Sequence, residues 1–585
     1  MTEVNKRKLS GITLTPTLSV PDDTTVTYGQ QFYLDVTLST EASFPSGIPL
    51  NVTVKENSGI KIQLIGNIPV TSNMENSITG HYLVAIEDTN TNIKNGQVSF
   101  NIELALPIHP YNKDFKYNVK KIIPYSLQLQ SDKLVCVIPE EYSKPDNNDP
   151  QDTYILYKTT LLEDTGSSLS KTPSNTPLKN TLVYLVSSPI LDITRDVIVT
   201  SDSNTEPLIT YTPSSYGDGD GGLTFINLIS DNNTGEIRFR VYSNNKPIIS
   251  GGAPDYKPTV LSLGCEVITE DYQVGEGYMA RKVCFITPRP FWALGELAQL
   301  YIPDANNGNI IGDPDSPSFN AEIQTDANYK ANDQLLFFTK EKGSEPDISS
   351  LIQPINFMHG DDNDIYSYPI PYNSFTVNKE SEIFYVIARV GETLYSRIKE
   401  IKYMGGGSED IPPGTVSRIY NKVEVFSSYA DYNNDNKLSN PGELGAKIFE
   451  DDLTTRAQLA NYIFNGGNDA YLRIVATNDP ADTKRPKAGS DIYVNMYIKS
   501  ANKNLFQPIN KNQKINLSST LDKYPVGNIY LCSTVVPIPH PFYTDIDAYE
   551  NESAMVYFEY YTKDKNNMRT YSEYWHGLTD TSASI

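Results

Sequence analysis

One loop of the sequence spaces its oxygen-bearing side chains like a calcium-binding loop. Residues 431–443 read Asp-Tyr-Asn-Asn-Asp-Asn-Lys-Leu-Ser-Asn-Pro-Gly-Glu. Calcium takes oxygen ligands, which a loop of the EF-hand type supplies from positions one, three and five, from the backbone carbonyl of position seven and from an acidic side chain near its end. The sequence therefore predicts a calcium site whose ligands come from Asp431, Asn433, Asp435, Lys437 and Glu443.

Two departures from the pattern leave a second interpretation of this loop open. Asn436 stands at position six, where glycine is usual, although asparagine tolerates the left-handed conformation. Glu443 falls at position thirteen of the loop and not at position twelve. The alternative is a solvated loop rich in Asn and Asp that holds no metal.

Signatures of catalysis are absent from the sequence. It contains no His-Glu-x-x-His, no Gly-x-Ser-x-Gly and no Gly-x-x-x-x-Gly-Lys-Ser/Thr motif, and its five histidines show no metal-ligand spacing. Paired carboxylates for glycoside hydrolysis stay open because the chain carries 71 acidic residues. We therefore expect no catalytic residue and no cofactor other than calcium, and keep glycan hydrolysis as an alternative.

The elements that would position these residues are strands. Apolar residues alternate with polar ones through segments such as 32–38, 97–106 and 236–241, which is typical of antiparallel sheets with one buried face. Clusters of Asn, Asp, Gly and Pro separate these runs, as in β-sandwiches. Only 443–460 has a pattern that would suit a helix or two. The sequence thus predicts an all-β protein.

The length of 585 residues corresponds to about four domains at roughly 150 residues each. Segment 404–414, Met-Gly-Gly-Gly-Ser-Glu-Asp-Ile-Pro-Pro-Gly, is predicted to be flexible and then stiff, and marks the clearest linker. Weaker boundaries fall near 143–150 and 269–289. The prediction is an extended array of domains at 1–148, 149–270, 271–403 and 416–585, the last one longer, Tyr-rich and of sandwich or jelly-roll type.

A weak internal repeat connects the first two units. In each, a strand introduced by Pro-Leu precedes a turn that runs from Asp to Gly, and a second strand follows the turn; the segments are 47–54, 88–96 and 97–106, then 177–184, 231–235 and 236–243. This order resembles the bacterial immunoglobulin-like domains of invasin- and intimin-type proteins, over roughly the first 270 residues and less firmly to about 400. The resemblance implies tandem immunoglobulin-like sandwiches in a bacterial surface protein.

Charge and hydropathy exclude two classes of partner. The chain carries 48 basic and 71 acidic side chains, a formal charge of −23, which repels nucleic acid and anionic membrane surfaces. No apolar run approaches the ~20 residues of a membrane-spanning helix. No apolar segment follows the basic cluster at 6–8, so we expect an extracellular or cell-surface location reached without a visible signal peptide, or alternatively a cytoplasmic inclusion.

The four cysteines do not form a disulfide scaffold. Cys136 and Cys532 lie in apolar strand-like runs and are expected to be buried as small hydrophobic residues. A symmetric hairpin centred on 274–275 would place Cys265 opposite Cys284, where a cross-strand disulfide is geometrically possible. Whether these two are bonded stays open.

Three functions remain compatible with the sequence. The first is a non-catalytic structural or adhesive protein that binds a protein or glycan surface ligand. The second is a carbohydrate-binding or glycan-hydrolysing protein whose site lies in the C-terminal domain, where tyrosines could stack on sugars. The third is a self-assembling fibre or inclusion protein, in which the edge strand predicted at 10–20 pairs with a neighbouring molecule. The alternative is that this strand, where Pro16 suits an edge position, is the first strand of its own sandwich.

Overall fold

A computed structural model gives the architecture of the chain. It describes residues 13–41, 43–55, 58–89, 91–107, 110–139, 144–165, 176–188, 193–202, 207–216, 223–244, 259–269, 283–288, 295–314, 316–323, 333–344, 350–357, 366–389, 392–408, 418–430, 432–433, 437–438, 446–450, 452–464, 466–501, 504–509, 513–514, 521–526, 529–540, 542–544, 546–549 and 552–581.

The first sandwich has two four-stranded sheets. Its strands are β1 (Thr15–Leu18), β2 (Thr25–Thr27), β3 (Gln31–Ser39), β4 (Leu50–Val54), β5 (Ile60–Leu64), β6 (Ser77–Ile86), β7 (Gln97–Leu104) and β8 (Tyr111–Lys120). The sheet orders are β1-β3-β6-β5 and β2-β8-β7-β4. In β3 every second side chain, from Phe32 to Leu38, is buried, as the alternation predicts. Strand β1 is an edge strand of its own sandwich and pairs with β3.

The second sandwich has sheets of order β9-β11-β16-β13 and β10-β18-β17-β12-β15-β14. These strands are β9 (Gln130–Ser131), β10 (Val135–Ile138), β11 (Tyr154–Thr160), β12 (Leu182–Ser188), β13 (Val197–Ser201), β14 (Ser214–Tyr216), β15 (Leu223–Ile229), β16 (Glu236–Ser243), β17 (Thr259–Glu266) and β18 (Cys284–Pro288). Helix α1 (Ile193–Asp196) and 3-10 turns at Pro124–Leu127 and Gln151–Thr153 accompany them. The pairings put 130–138 and 284–288 with this sandwich, across the boundaries at 148 and 270 that the sequence predicts.

The third sandwich combines a two-stranded sheet, β21-β24, with a larger sheet of order β19-β20-β27-β25-β22-β23, in which β26 also pairs with β25. The strands are β19 (Ala305–Asn306), β20 (Asn309–Ile310), β21 (Ser318–Ile323), β22 (Gln334–Glu341), β23 (Leu351–Phe357), β24 (Tyr366–Pro371), β25 (Glu380–Arg389), β26 (Glu392–Tyr395) and β27 (Lys399–Tyr403). A 3-10 turn at Tyr372–Ser374 follows β24.

The fourth sandwich pairs a sheet of order β28-β41-β40-β35-β36 with one of order β32-β29-β34-β39-β38. Its strands are β28 (Arg418–Tyr420), β29 (Glu424–Ser427), β30 (Tyr432–Asn433), β31 (Lys437–Leu438), β32 (Lys447–Ile448), β33 (Leu453–Thr455), β34 (Asn468–Thr477), β35 (Asp491–Lys499), β36 (Asn504–Pro508), β37 (Gln513–Lys514), β38 (Leu521–Val526), β39 (Ile529–Pro539), β40 (Ala554–Lys563), β41 (Arg569–Ser572) and β42 (Trp575–Asp580). Strand β42 pairs with β40 and β33, and β37 pairs with β35.

The pattern expected for a helix or two at 443–460 is wrong for the residues described there. Helix α2 spans only Arg456–Leu459 and continues as a 3-10 turn through Ala460–Phe464, while β32 and β33 occupy part of the preceding segment. Helix α2 begins at a capping box of Thr455 and Gln458. It stays short because the segment lacks the longer apolar stripe that would bury a longer helix.

All four sandwiches share one parallel pairing. In each, a short early strand runs parallel to a strand near the end of the sandwich: β2 with β8, β10 with β18, β20 with β27 and β28 with β41. The first sandwich divides its strands between its two sheets as immunoglobulin domains do. The fold class predicted from the sequence, tandem immunoglobulin-like β-sandwiches, is therefore confirmed.

The internal repeat seen in the sequence does not align equivalent strands. Strand β7, after the first Asp-to-Gly turn, pairs with β4 and β8. Strand β16, after the second turn, pairs instead with β11 and β13, on the sheet opposite β12. The repeat matched two different positions of the same fold because alternating strands after tight turns occur at both.

The register that would place Cys265 opposite Cys284, left open by the sequence, does not form. The register of β17 and β18 places Leu261 opposite Cys284, and Cys265 lies opposite Leu185 of β12. The two strands are thus offset by four residues from the symmetric hairpin, whose turn lies outside the described residues. Cys136 is also buried, and all four cysteines are free thiols.

The glycines of the predicted linker are packed against the third sandwich. The carbonyl of Gly405 accepts a hydrogen bond of 2.9 Å from the backbone N–H of Gly312. A Cβ on Gly407 would lie 2.2 Å from a ring carbon of Tyr372, so no other residue fits there without displacing the ring. Segment 404–408 is therefore part of the third sandwich, and its predicted flexibility is wrong.

Neighbouring sandwiches share apolar cores. Leu182, Tyr184, Val186 and Phe225 of the second sandwich belong to the core cluster of the first. A separate cluster joins the second and third sandwiches; it contains Leu134, Val135, Val260, Val283 and Phe285 on one side and Leu336, Phe338, Phe384, Val386 and Ala388 on the other. We call these two contact regions the first joint and the second joint.

The fourth sandwich packs back onto the second. The Arg456 guanidinium donates a 2.9 Å hydrogen bond to the backbone carbonyl of Gln128, whose side-chain oxygen accepts one from the Tyr462 hydroxyl. The Gln130 side chain reaches the carbonyl of Thr581 at 3.4 Å. The extended array predicted from the sequence is therefore wrong, because the chain returns on itself.

Candidate functional site

The predicted calcium loop is only partly described. Asp431, Asp435 and Glu443 lie outside the described residues. Asn433 and Lys437 pair directly with each other as the ends of the β30–β31 hairpin. The pairing brings together the position that would supply a side-chain oxygen, Asn433, and the position that would supply a backbone carbonyl, Lys437. The calcium site stays a prediction.

In the described part of the chain, no group of three His, Cys, Asp or Glu side chains could hold a metal ion. Three of the histidines instead pair with one carboxylate each. His81 lies 2.7 Å from Asp35, His576 lies 3.2 Å from Glu450, and the buried His540 contacts Asp469.

The outer face of the fourth sandwich gathers several tyrosines of the Tyr-rich domain, whereas Tyr560 enters the core. Along β35 and β40 alternate side chains, such as Val494 and Phe558, enter the core. The intervening positions point to the other face of the sheet, and in the register of these strands Tyr497 lies opposite Tyr557 and Tyr493 opposite Tyr561. Strand periodicity thus brings together residues that are far apart in sequence.

A buried carboxylate lies at the centre of this face. Glu559 accepts hydrogen bonds from the Tyr497 hydroxyl at 2.5 Å, the Asn495 amide at 2.9 Å and the Arg418 guanidinium at 3.0 Å. Arg418 also stacks on the Tyr574 ring at 3.6 Å. Burial raises the pKa of Glu559, and these donors oppose that rise. The cluster fastens β28 to the sheet and leaves the carboxylate inaccessible to a substrate.

The remaining rings of the face mostly cover one another. Tyr493 and Tyr561 stack at 4.9 Å, and Tyr561 contacts Tyr571 at 5.0 Å. The Lys563 ammonium lies 4.6 Å from the Tyr493 ring, and the Arg569 guanidinium lies 5.5 Å from the Tyr561 ring. Burial raises the pKa of Tyr561 to about 12. Most of this aromatic surface is therefore structural.

The third sandwich approaches the same face at one side. Arg569 lies 3.7 Å from Asp313, and β24 contacts β36. At the other side, Tyr557 is half-buried and lies 6.2 Å from the exposed His576. Tyr557 thus presents aromatic surface to solvent next to His576, as the half-buried Tyr493 and Tyr561 do elsewhere on the face.

A second candidate surface lies on the first sandwich, where the sequence analysis missed it. Between β5 and β6, four apolar side chains are exposed, Met74 to 90%; we call Ile65, Ile68, Val70 and Met74 the apolar ridge. Backbone hydrogen bonds hold its loop, including Thr71 N–H to the Ile48 carbonyl at 2.9 Å. The signal was four apolar residues within a Gly-, Asn- and Pro-containing loop, which alternation does not detect.

Comparison with known proteins gives no assignment. No protein-family model matches the sequence, and no curated protein sequence matches it. Among the described residues, no helix has both the length and the apolar character to cross a bilayer.

Several solved structures are similar to parts or most of the chain. Domains 5–6 of the S-layer protein SbsC share 14% identity at a TM-score of 0.17, over 48% of this chain and 100% of that one. Domains 4–9 of the same protein share 10% at 0.17, over 98% and 66%. The D00-D0 domain of intimin shares 11% at 0.14, over 46% and 99%. At these TM-scores the similarities carry no argument, and the fold assignment rests on the strand order.

Proposed function

We propose that the chain is a non-catalytic structural or adhesive protein of bacterial surface type, extracellular or at the cell surface, whose sandwiches form one stiff body. The observation that carries this proposal is the pair of apolar joints. Burying a large apolar side chain contributes about 1.5–3 kcal/mol, and each joint buries several such side chains. Flexible spacers between independent modules would leave these faces polar.

Small-angle X-ray scattering of the full chain at pH 5.5 tests this stiffness. A stiff body gives a scattering profile that does not change between low and high salt, because apolar joints are not screened. A profile that expands with salt, or that fits only an ensemble of independently moving modules, would contradict the proposal.

We propose that two copies of the protein associate through the apolar ridge. Residues 1–120 carry 9 basic and 11 acidic side chains, whereas residues 121–415 carry 22 and 40, net charges of −2 and −18. Two copies approaching by their central sandwiches repel each other, whereas the first sandwich opposes contact only weakly, as does the fourth, whose residues 416–585 carry 17 basic and 20 acidic side chains. Exposed apolar patches on a soluble protein mark association sites. The ridge therefore contacts a second copy.

The test compares Ile68→Ser/Met74→Ser with Ile209→Ser, which changes an isolated exposed apolar residue of the second sandwich. Sedimentation velocity over a range of concentrations and electron microscopy measure assembly. We expect the ridge variant alone to lose association. A wild-type protein that stays monomeric at every concentration, or equal association of both variants, would exclude the ridge.

Carbohydrate binding is a second candidate function, favoured by the half-exposed Tyr557 beside His576. Aromatic rings of this kind stack on the apolar faces of sugars. On a glycan array, Tyr557→Ala should lose binding that Tyr429→Ala, a change of another exposed tyrosine, retains. Absence of any glycan signal from the wild-type protein would remove this candidate.

Calcium binding by loop 431–443 rests on the ligand spacing of the sequence. Binding to the folded state alone stabilises by about 2.7 kcal/mol at a hundredfold excess over Kd. Calcium should raise the Tm of the full chain, and Asp431→Ala/Asp435→Ala should abolish that rise while Asp491→Ala leaves it intact. A rise that survives the double substitution places calcium elsewhere.

A further inference from the structure

Glu266 is a carboxylate placed inside the first joint. It ends β17 and lies directly opposite Tyr184 of β12. On β12, Leu185 faces the core of the second sandwich, as does Cys265 on β17. Tyr184 belongs to the core cluster of the first sandwich. Because paired residues share a face, Glu266 points with Tyr184 toward the first sandwich.

The segment that carries Glu266 also holds the two sandwiches of the first joint together. Two residues further on, the carbonyl of Ile268 accepts a 2.7 Å hydrogen bond from the N–H of Gln31 in the first sandwich. The carbonyl of Gln31 in turn accepts a 3.3 Å hydrogen bond from the Tyr184 hydroxyl. A change in charge at Glu266 therefore acts where the two sandwiches are held together.

The surroundings of Glu266 oppose its charged form. Its residue surface is 4% exposed, and its Oε1 atom is buried without a hydrogen-bond partner. Burial raises the pKa of Glu266 to about 7. Its titratable neighbours, Tyr184 and Cys265, have pKa values raised by burial and are neutral at this pH. Asp88, beside Gly29 and Thr269 on the first-sandwich side, is not a cause of the raised pKa.

We propose that Glu266 makes the first joint pH-sensitive, docked when its carboxyl group is protonated and loosened when the carboxylate forms. The sign follows from linkage: a carboxyl group whose pKa is higher in the docked state stabilises docking fully below its ordinary pKa, and this stabilisation is lost as the pH rises through about 7. The difference between about 7 and the ordinary 4.5 limits the effect on the docking equilibrium to roughly 300-fold.

Hydrogen exchange of the Gln31 amide measures the joint directly, because its acceptor is the Ile268 carbonyl. After correction for intrinsic exchange, its protection in the wild-type full chain should fall from pH 5.5 to 8.5 by up to about 30-fold, the rest of the roughly 300-fold effect lying below pH 5.5. Scattering should show the radius of gyration rising over the same range.

Glu266→Gln keeps the shape of the side chain and removes its titration, so its Gln31 protection should stay constant with pH. Glu75→Gln, at an exposed position of the first sandwich, should behave like the wild-type protein. Wild-type protection that does not change with pH would overturn the proposal. Equal loss of protection in Glu266→Gln and the wild-type protein would overturn it as well.

Discussion

Substitution of two adjacent phenylalanines of β22 distinguishes the stability of the third sandwich from the stability of the second joint. Phe337 and Phe338 are both completely buried, but Phe337 lies in the core of the third sandwich and Phe338 lies in the second joint. Phe338 stacks on Phe384 at 5.4 Å and belongs to the same cluster as Val260 and Phe285 of the second sandwich. Replacing each phenylalanine by alanine therefore removes the same atoms from two different contacts.

The size of the effect follows from burial. Truncating a fully buried phenylalanine to alanine costs roughly 3–5 kcal/mol. Phe384 belongs to the same sandwich as Phe338, so only part of that loss falls on the joint. A share of about 2 kcal/mol weakens docking by a factor of roughly 30. Phe338→Ala should thus leave the third sandwich folded while its docking to the second is weakened, whereas Phe337→Ala should lower the stability of the third sandwich itself.

Scattering and calorimetry together distinguish these outcomes. Phe338→Ala should increase the radius of gyration at 25 °C without changing the far-ultraviolet circular dichroism, and should separate the unfolding transitions of the two sandwiches. Phe337→Ala should keep the wild-type scattering at 25 °C and lower the Tm. If both variants give the wild-type radius of gyration and the same calorimetric profile, the joint does not hold the two sandwiches together.

Three further expectations follow from buried polar groups and from the packed glycines. Gln30→Ala removes the acceptor of the Thr27 N–H and the donor to the Leu182 carbonyl, and should cost about 1–3 kcal/mol in the urea unfolding of the full chain; an unchanged midpoint would contradict this. A thiol reagent should modify no cysteine in the native protein and all four after denaturation, because burial raises the pKa of each thiol, that of Cys284 to about 12; a native thiol that reacts rapidly would contradict its burial. Limited proteolysis should cut after 408 and spare 404–408, and early cleavage at the glycines would show that they are not packed.

The fold class could be predicted because strand periodicity is local. The alternation in a run such as 32–38 predicts which of its residues are buried. The structure places Phe32 and Leu38 on the buried face. Edge strand β1 followed from the same reasoning, since Pro16 lacks a backbone N–H to donate. The sequence also predicts a Tyr-rich fourth domain, but it does not assign those tyrosines to one face of a sheet.

The register of paired strands and the choice of each strand's partner could not be predicted, because both depend on residues far apart in sequence. The offset between Leu261 and Cys284 depends on a long connection whose length alone does not determine the pairing. The Asp-to-Gly turns at 88–96 and 231–235 look alike in sequence; in the second, Asp231 accepts hydrogen bonds from the backbone N–H groups of Asn233 and Thr234. Similar local chemistry therefore serves strands of opposite sheets.

The joints did leave a trace in the sequence, in strands that do not alternate. Segments 182–186 and 335–338 are apolar at every position, which is the pattern of a strand buried on both faces. In β22, Leu335 and Phe337 enter the core of the third sandwich while Leu336 and Phe338 enter the joint. An antiparallel strand of an isolated sandwich needs only one apolar face. A strand that is apolar on both faces is therefore expected to pack a second sandwich against its outer face. Continuous apolar strands within an otherwise alternating protein thus indicate which sheets dock, even though they do not identify the partner sheet.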